Sequence, residues 1–172
     1  LSDLKTTWRV PIEYFVIGAG YWSRASDPLE NGDFTRIDVD ERFPGGSFEQ
    51  LYGRLLASEM KLGMWFGGGC PASQEFVSGL RDSILKLYAR YELKLAWVDI
   101  RGWDCSETEH GHAPGRYMRH AGAKNLIDAF GAVKALDPEF LIFAAGLSRS
   151  PWWLKYADLV GPGETDIADS PA

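Results

Sequence analysis

The chain has 172 residues, 45% of them hydrophobic and 24% charged, which is the composition of one folded domain with a core of its own. A formal net charge of −6 without a run of basic residues argues against nucleic acid or an anionic membrane surface as partner. No apolar stretch approaches the roughly 20 residues of a membrane span, and Leu1 rather than Met at the first position indicates a start inside a longer parent or after processing.

The first predicted strand is the apolar run from Tyr14 to Gly18, after a polar lead-in over residues 1–11. Residues 23–46 are rich in Gly, Pro, Asn and Asp and predict a long loop, a feature that tends to be functional in a compact domain. Ser47 is a predicted N-cap, because apolar side chains recur at helical spacing directly after it. These side chains are Phe48, Leu51, Tyr52, Leu55 and Leu56.

The second strand is predicted from Lys61 to Phe66 and ends in a run of three glycines. Ser73 caps the next helix. The buried stripe of that helix is Phe76, Val77, Leu80, Ile84, Leu87 and Tyr88. A third strand follows from Leu93 to Val98.

The second half of the chain repeats this alternation after another long loop. A helix is marked by Leu126, Ile127, Phe130 and Val133, and it ends before Asp137 and Pro138. The fourth strand runs from Phe140 to Ala145, Pro151 to Leu154 form a short helical turn, and Ala157 to Val160 begin a fifth strand.

Near-continuous apolar strands that alternate with amphipathic helices predict a parallel sheet with crossover helices. The predicted fold class is α/β, with parallel βα repeats in a single domain over residues 1–172. Two architectures fit: an open sheet, or about five strands of a (β/α)8 barrel of TIM type. A whole barrel needs around 250 residues, so in the second case the chain is part of a barrel.

Charged residues are concentrated around the third strand. Lys94 lies within it, and Asp99 and Asp104 follow in the loop, where the active sites of parallel α/β proteins usually lie. A lysine inside an apolar strand is costly unless it is paired or faces a polar cavity. Seven Trp, seven Tyr and nine Phe suit either a carbohydrate site lined by rings or a well-filled core.

The loop after the third strand also carries His110 and His112 beside Asp104, Glu107 and Glu109. A His-x-His pair among carboxylates can bind zinc or another divalent ion, which would indicate a metal-dependent α/β hydrolase. Nothing in the sequence orients these imidazoles, so a solvated loop is the plainer interpretation and we expect no metal. The glycines after the first two strands lack the full dinucleotide fingerprint, and we expect no cofactor.

Four segments, in the same order, resemble melibiase-type α-galactosidases, which are retaining glycoside hydrolases with a (β/α)8 barrel. GDFTRIDVDERFPGG resembles the family's Gly-Asp-Trp stretch followed by Phe-Pro-x-Gly, and LLASEMKLGMWF resembles its Gly-Met-Lys-x-Gly-Leu-Trp strand. YELKLA resembles the strand with Lys-x-Asp, in which the Asp is the nucleophile, and FLIFAAGLSRSPWWLKYADLV resembles the run into the acid/base strand. The resemblance covers about residues 14–168 and implies the second to sixth strands of the barrel.

The resemblance implies roles for individual residues. Lys94 corresponds to a lysine that contacts sugar hydroxyls, and Asp33 and Trp65 correspond to positions near the sugar. The nucleophile corresponds to Ala96, whose methyl group cannot attack an anomeric carbon. On this alignment the chain is a catalytically silent relative that binds sugar at most.

An active retaining glycosidase requires another carboxylate near that position. Asp99 falls on the opposite strand face from Ala96, so it reaches the barrel axis only if the strand ends near Trp97 or bulges. Asp104 lies further into the loop.

Retaining enzymes also hold a second carboxyl group, about 5–5.5 Å from the first, as acid/base. Glu164 and Asp166, after the fifth strand, are the two candidates. The expected function is therefore a glycoside hydrolase of α-galactosidase type, incomplete or impaired in this chain.

Cys70 and Cys105 each follow a predicted strand, and they form either a loop-to-loop disulfide or two separate thiols. Some relatives in the resembling family carry such a cysteine pair, which favours the disulfide. A disulfide would indicate a secreted or periplasmic protein, and separate thiols a cytoplasmic one. The expected partners are a carbohydrate and, because a partial barrel leaves strand edges open, a second copy of the chain.

Overall fold

Strands and helices alternate along the computed structural model, which describes residues 7–9, 11–19, 21, 28–37, 47–100, 116–147 and 151–162. The strands of this part are β1 (Tyr14–Ile17), β2 (Lys61–Gly67), β3 (Leu95–Asp99), β4 (Leu141–Ala145) and β5 (Leu159–Gly161). The helices are α1 (Pro28–Asn31), α2 (Phe48–Ala57), α3 (Gln74–Tyr91) and α4 (Arg116–Leu136), with a 3₁₀ helix (Pro151–Lys155) before β5. Within the described residues, no helix has both the length and the apolar character needed to cross a bilayer.

The strands form one parallel sheet in the order β1-β2-β3-β4-β5. Neighbours in the sheet are thus neighbours along the chain, which is how consecutive units are arranged in a (β/α)8 barrel. The predicted fold class, a partial TIM-type barrel of about five parallel strands, is confirmed. The central strand is β3, which pairs with β2 on one side and β4 on the other.

Both predicted helix caps are present. The hydroxyl of Ser47 accepts a hydrogen bond from the backbone N–H of Gln50 at 3.2 Å, and that of Ser73 accepts one from Phe76 at the same distance. Each cap satisfies a backbone donor that the first turn of a helix leaves without a partner. The chain therefore leaves β1 and β2 and enters its helices where the sequence indicates.

The sheet has two unlike faces. Parallel crossovers are right-handed, so the helices that connect successive strands all lie on one face, here called the helix face. Side chains of this face are fully buried, with Met64, Val98 and Ala144 at 0% exposure. The opposite face, here called the open face, is not covered by any helix of the described residues, and Val16 and Leu159 on it are 37% and 51% exposed.

The segment around α1 is attached to α3 on the helix face. Ser83 is buried, accepts a hydrogen bond from the backbone N–H of Phe34 and donates one to the carbonyl of Gly32, both at 2.9 Å. Gly32 has a φ of +71°, and a Cβ there would lie 2.1 Å from the carbonyl oxygen of Phe76, so a larger residue does not fit. Phe34 then packs edge-on against Phe66 of β2, with ring centroids 5.4 Å apart.

The boundaries of β3 differ from the prediction, and the difference bears on the site. The strand begins at Leu95 rather than Leu93 and ends at Asp99 rather than Val98. Glu92 ends α3 in the left-handed conformation, so the turn into β3 takes up more residues than predicted. As a result Lys94 lies before the strand and Asp99 is its last residue.

Candidate active site

Asp99 is the last residue of the central strand, at the carboxyl edge of the sheet. It pairs in register with Gly67 of β2 and Ala145 of β4. Its exposed fraction is 0%, whereas acidic side chains are seldom fully buried without a specific reason. The loops at this edge of parallel barrels form their active sites, so a buried carboxylate here is a candidate catalytic group.

The backbone around Asp99 is fixed by the neighbouring strands. The N–H of Gly68 donates to the carbonyl of Asp99 at 3.1 Å, and the N–H of Ile100 donates to the carbonyl of Ala145 at 3.1 Å. Gly146 has a φ of +69°, and a Cβ on it would lie 3.0 Å from Oδ1 of Asp99 and 2.3 Å from the carbonyl oxygen of Ile100. The carboxylate is therefore held against the backbone that follows β4.

Small residues flank Asp99 in its row across the sheet, which consists of Gly67, Asp99, Ala145 and Gly161. A Cβ on Gly67 would lie 2.1 Å from the carbonyl oxygen of Asp99 and 2.9 Å from Cζ2 of Trp65. A Cβ on Gly161 would lie 2.7 Å from Cε2 of Phe143. Rings from the row below therefore occupy the space beside the carboxylate row.

That lower row consists of Trp65, Trp97 and Phe143 on three adjacent strands. Trp97 and Phe143 stack with ring centroids 5.5 Å apart and an interplanar angle of 22°. By alternation along β3, Trp97 shares the open face with Asp99. The site thus combines one buried carboxylate with aromatic surface directly beneath it.

Trp65 lies in this row, beside the carboxylate, as expected for a residue near a ligand. It is only 4% exposed. Its backbone carbonyl accepts a hydrogen bond of 2.9 Å from the hydroxyl of Tyr21. Burial raises the pKa of Tyr21 well above its usual 10.0, so this phenol remains a neutral donor. A role for Trp65 in ligand binding stays a prediction.

The structure corrects the placement of the nucleophile position at Ala96. This residue lies in the middle of β3, pairs with Met64 and Ile142, and is 0% exposed on the helix face. Because alternation places Leu95, Trp97 and Asp99 on the other face, the carboxylate at the strand end faces away from the helices. The prediction had assigned the open face to the wrong set of alternating residues.

The structure also corrects the placement of Lys94. It precedes β3 at the amino edge of the sheet, the edge opposite to Asp99, and its Nζ donates to Oδ2 of Asp137 at 2.9 Å. Nζ also lies 5.0 Å from the centroid of the Tyr88 ring. The hydrogen bond with Asp137 raises the pKa of Lys94 and lowers that of Asp137, so both stay charged. The cost of a lysine here is offset by this pairing.

Asp33 is engaged in a local turn. Its Oδ1 accepts hydrogen bonds from the backbone N–H and the hydroxyl of Thr35, at 3.1 and 2.6 Å, and its Oδ2 lies 3.8 Å from Nε of Arg36. The hydrogen bond from the Thr35 hydroxyl lowers the pKa of Asp33. Asp33 precedes Phe34, which packs on the helix face, so the structure gives this carboxylate a turn-forming role and does not bring it to Asp99.

Several predicted residues lie outside the described residues. They are Asp104, Glu164, Asp166, His110, His112 and Cys105, and their roles stay predictions. Cys70 is buried beside Ala72 and Met118, and its predicted pairing likewise stays a prediction. Among the described residues no group of three or more His, Cys, Asp or Glu side chains could hold a metal ion.

Three contributors to the site were missed in the sequence. Trp97 and Phe143 were assigned only to strands, although each lies two residues before the end of its strand and so shares a face with the terminal residue. Gly146, directly after β4, was not singled out either. A positive φ at a glycine after a strand is not visible in a sequence. The aromatic residues two positions before the ends of β3 and β4, in contrast, could have been recognised there.

The fold and the site together define the class: a parallel α/β sheet of partial-barrel type with a buried acid at the carboxyl edge of its central strand. No protein-family model and no curated protein matches the chain. Solved structures do match. An α-galactosidase from Lactobacillus brevis is similar with a TM-score of 0.64 and 15% identity, over 95% of this chain and 27% of that one.

Two further solved structures give the same result. The galactosidase domain of an α-galactosidase–sucrose kinase has a TM-score of 0.63 at 15% identity, over 95% of this chain and 27% of its own. A GH36 α-galactosidase from Geobacillus stearothermophilus has a TM-score of 0.62 at 11% identity, over 95% and 28%. The chain thus spans about a quarter of the length of these proteins, and at such identities the likeness shows the fold, that of part of a glycoside hydrolase barrel.

Proposed function

We propose that this chain carries the nucleophile strand of a retaining glycoside hydrolase of α-galactosidase type, with Asp99 as the nucleophile. The observation that supports the proposal best is the position of Asp99, fully buried at the carboxyl end of the central strand. The three solved structures described above, which share this fold, are α-galactosidases by name. Asp99, not Ala96, is the residue at the end of the strand.

The chemistry is a double displacement. A carboxylate oxygen of Asp99 attacks the anomeric carbon, the bond to the leaving oxygen breaks, and an acid donates a proton to that oxygen. Water then attacks the anomeric carbon from the face that the leaving group vacated, opposite to Asp99; the acid/base group takes the proton of this water as the ester bond to Asp99 breaks. Glu164 and Asp166 remain the candidates for that second group.

Features of the site suit the nucleophile role. Backbone hydrogen bonds of Gly68 and Ile100 fix the strand end that carries Asp99, and Oδ1 of Asp99 lies close to Gly146, so the backbone needs little reorganisation for attack. The small residues beside it in the sheet leave no competing side chain in its row. A hydrolase that uses His110 and His112 is not favoured by any described contact.

Turnover of an aryl α-galactoside by the intact protein tests the proposal. We expect Asp99→Asn to lower kcat by at least about 10³-fold, and Asp99→Gly to regain activity with added azide, which attacks the anomeric carbon in place of the carboxylate. Asp128→Asn is the matched control, because Asp128 is exposed on α4 and pairs with Lys124 at 2.6 Å.

Unchanged turnover in folded Asp99→Asn would refute the nucleophile assignment. Absence of turnover in the wild type, together with saturable binding of galactosides, would instead indicate a silent sugar-binding relative.

A further inference from the structure

We propose that Tyr21 is a positioning residue for Asp99, because its hydroxyl holds the carboxyl end of β2, the strand that fixes the backbone of Asp99. This inference rests on the proposed function and names one more residue on which the same site depends. Tyr21 follows β1 along the chain and is 4% exposed. Its hydroxyl donates a hydrogen bond of 2.9 Å to the backbone carbonyl of Trp65 in β2.

The carbonyl of Trp65 points to the side of β2 on which β1 lies. Backbone groups of successive residues in a strand alternate between its two neighbours. The carbonyl of Leu62 and the N–H of Gly68 are both bonded on the other side, to Lys94 and to Asp99 of β3. Trp65 lies an odd number of positions from each of them, so its carbonyl points towards β1.

β2 continues past the end of β1. The ladder between the two strands ends with the pair of Ile17 and Met64. Residues 65–67, here called the β2 end segment, pair on their other side with β3 as far as Asp99. No strand of the described residues pairs with this segment on the β1 side. The phenol of Tyr21 thus supplies a donor where a longer β1 would have supplied a backbone N–H.

The β2 end segment holds the part of β3 that carries the carboxylate. Gly67 pairs with Asp99, and the N–H of Gly68 donates to the carbonyl of Asp99 at 3.1 Å. A Cβ on Gly67 would lie 2.1 Å from that carbonyl oxygen, so the two backbones are in direct contact. A displacement of the segment therefore reaches Asp99, and a misplacement of about 1 Å can lower the rate of a reaction about 100-fold.

Turnover of an aryl α-galactoside by Tyr21→Phe tests this contact, because the variant keeps the ring and removes the hydroxyl. We expect kcat to fall about tenfold and KM to stay within about twofold, since the substrate still binds but the carboxylate is displaced. Tyr91→Phe is the matched control. It makes the same change at a hydroxyl that donates to Glu49 at 2.8 Å, at the end of α3, and its kcat stays at the wild-type value.

Azide rescue separates the positioning of Asp99 from any other role of Tyr21. In Asp99→Gly the azide ion attacks in place of the carboxylate, so the position of the strand end no longer limits the reaction. We expect Tyr21→Phe, added to Asp99→Gly, to leave the azide-dependent rate within about twofold. A tenfold loss of that rate would show that Tyr21 acts on substrate binding or on the whole fold, and would overturn the positioning role.

Amide hydrogen exchange tests the contact without turnover. We expect Tyr21→Phe to speed exchange at Gly68 about tenfold and to leave Leu141 unchanged, whose N–H donates to the carbonyl of Lys94 at the amino edge. Equal acceleration at both amides would indicate a general loss of stability and would overturn the positioning role. If the variant does not fold, added sucrose stabilises it for these measurements. A variant that stays unfolded there would make Tyr21 an anchor of the whole fold, which also overturns the role.

The outcomes separate this inference from the proposed function. Wild-type kcat in folded Tyr21→Phe, with activity lost in Asp99→Asn, would overturn the role of Tyr21 and leave the nucleophile intact. Full turnover in folded Asp99→Asn would overturn the nucleophile, whereas faster exchange at Gly68 in Tyr21→Phe would still support the contact that holds the strand end.

Discussion

The two edges of the sheet are stabilised in different ways. At the amino edge, lysines are paired with acids from neighbouring elements: Lys94 with Asp137 at 2.9 Å, and Lys134 with Asp158 at 2.8 Å. Asp158 also accepts a hydrogen bond of 2.8 Å from the backbone N–H of Ile142. These contacts attach the starts of β4 and β5 to the helix and turn before them.

At the carboxyl edge, the charge in the row is the buried Asp99, and its neighbours are glycine and alanine. Close backbone contacts, such as those at Gly67 and Gly146, replace ion pairs. In parallel α/β proteins the carboxyl edge of the sheet usually carries the functional groups, at some cost in stability, and the amino edge contributes stability. The two edges of this sheet fit that division. Four variants or conditions test this division.

The largest expected effect comes from Gly67→Ala, compared with Gly63→Ala on the same strand and face. The new Cβ at 67 would lie 2.1 Å from the backbone oxygen of Asp99, which cannot move independently of β3. At 63 the nearest atoms are side-chain ends of Val16 and Leu95, at 2.9 and 3.2 Å. We expect a loss of about 3 kcal/mol or more in the free energy of unfolding at 67 and within about 1 kcal/mol at 63.

Urea unfolding measures both values. Equal losses in the two variants would contradict the view that backbone contact at the carboxyl edge is what fixes Asp99.

The second effect is a gain of stability in Asp99→Asn. The amide has nearly the same shape but no charge to bury, so we expect the free energy of unfolding to rise by about 1 kcal/mol while activity is lost. Asp128→Asn, on the exposed side of α4, should leave it unchanged. A loss of about 2 kcal/mol or more in Asp99→Asn would instead make Asp99 a structural anchor.

The fold followed from local signals in the sequence. The caps Ser47 and Ser73 and the apolar stripes after them determine where helices begin, and short apolar runs indicate the strands. Parallel order then follows from alternation with helices. These are short-range properties, and they predicted the elements and their order, although β3 begins two residues and ends one residue later than predicted.

The site was only partly predictable, because it depends on strand boundaries and on distant pairs. Side chains alternate along a strand, and the sequence does not show which alternating set faces the helices, so the prediction placed Ala96 towards the barrel axis whereas the structure places it on the helix face. The partner of Lys94 is 43 residues away along the chain, so its pairing could not be read from the sequence. Local pattern indicated carboxylates near this strand end, and the structure places Asp99 there as the last residue of β3.

The third effect is a small loss of stability in Lys94→Met, without loss of activity. Methionine has a side chain of similar length but removes the ion pair of Nζ with Asp137 and its cation–π contact with Tyr88. Because the lysine is 34% exposed, solvent screens the pair, and we expect a loss of about 0.5 kcal/mol in the free energy of unfolding. An increase of KM for the aryl galactoside by tenfold or more would show that Lys94 serves the site after all.

The smallest effect is the pH dependence of this same pair. The hydrogen bond from Lys94 lowers the pKa of Asp137 below its ordinary 3.8, so the unfolded chain binds its proton first as the pH falls. The stabilisation is therefore complete above pH 3.8 and is lost as the pH falls through the lower, folded value. The pKa of Lys94 is raised above its ordinary 10.5. The stabilisation from this group is therefore complete below pH 10.5 and is lost as the pH rises through the higher pKa of the folded protein.

Urea midpoints of wild type and Asp137→Asn test this dependence, since the variant lacks the titrating carboxyl group. We expect the two midpoints to differ at about pH 6 and the difference to shrink as the pH falls below 3.8, because the wild-type carboxyl group then takes up its proton. The turnover of the two proteins should be equal at neutral pH, because the pair lies at the edge opposite to Asp99. A difference in stability that does not shrink as the pH falls below 3.8 would mean that Asp137 stabilises the amino edge by packing and not by its charge.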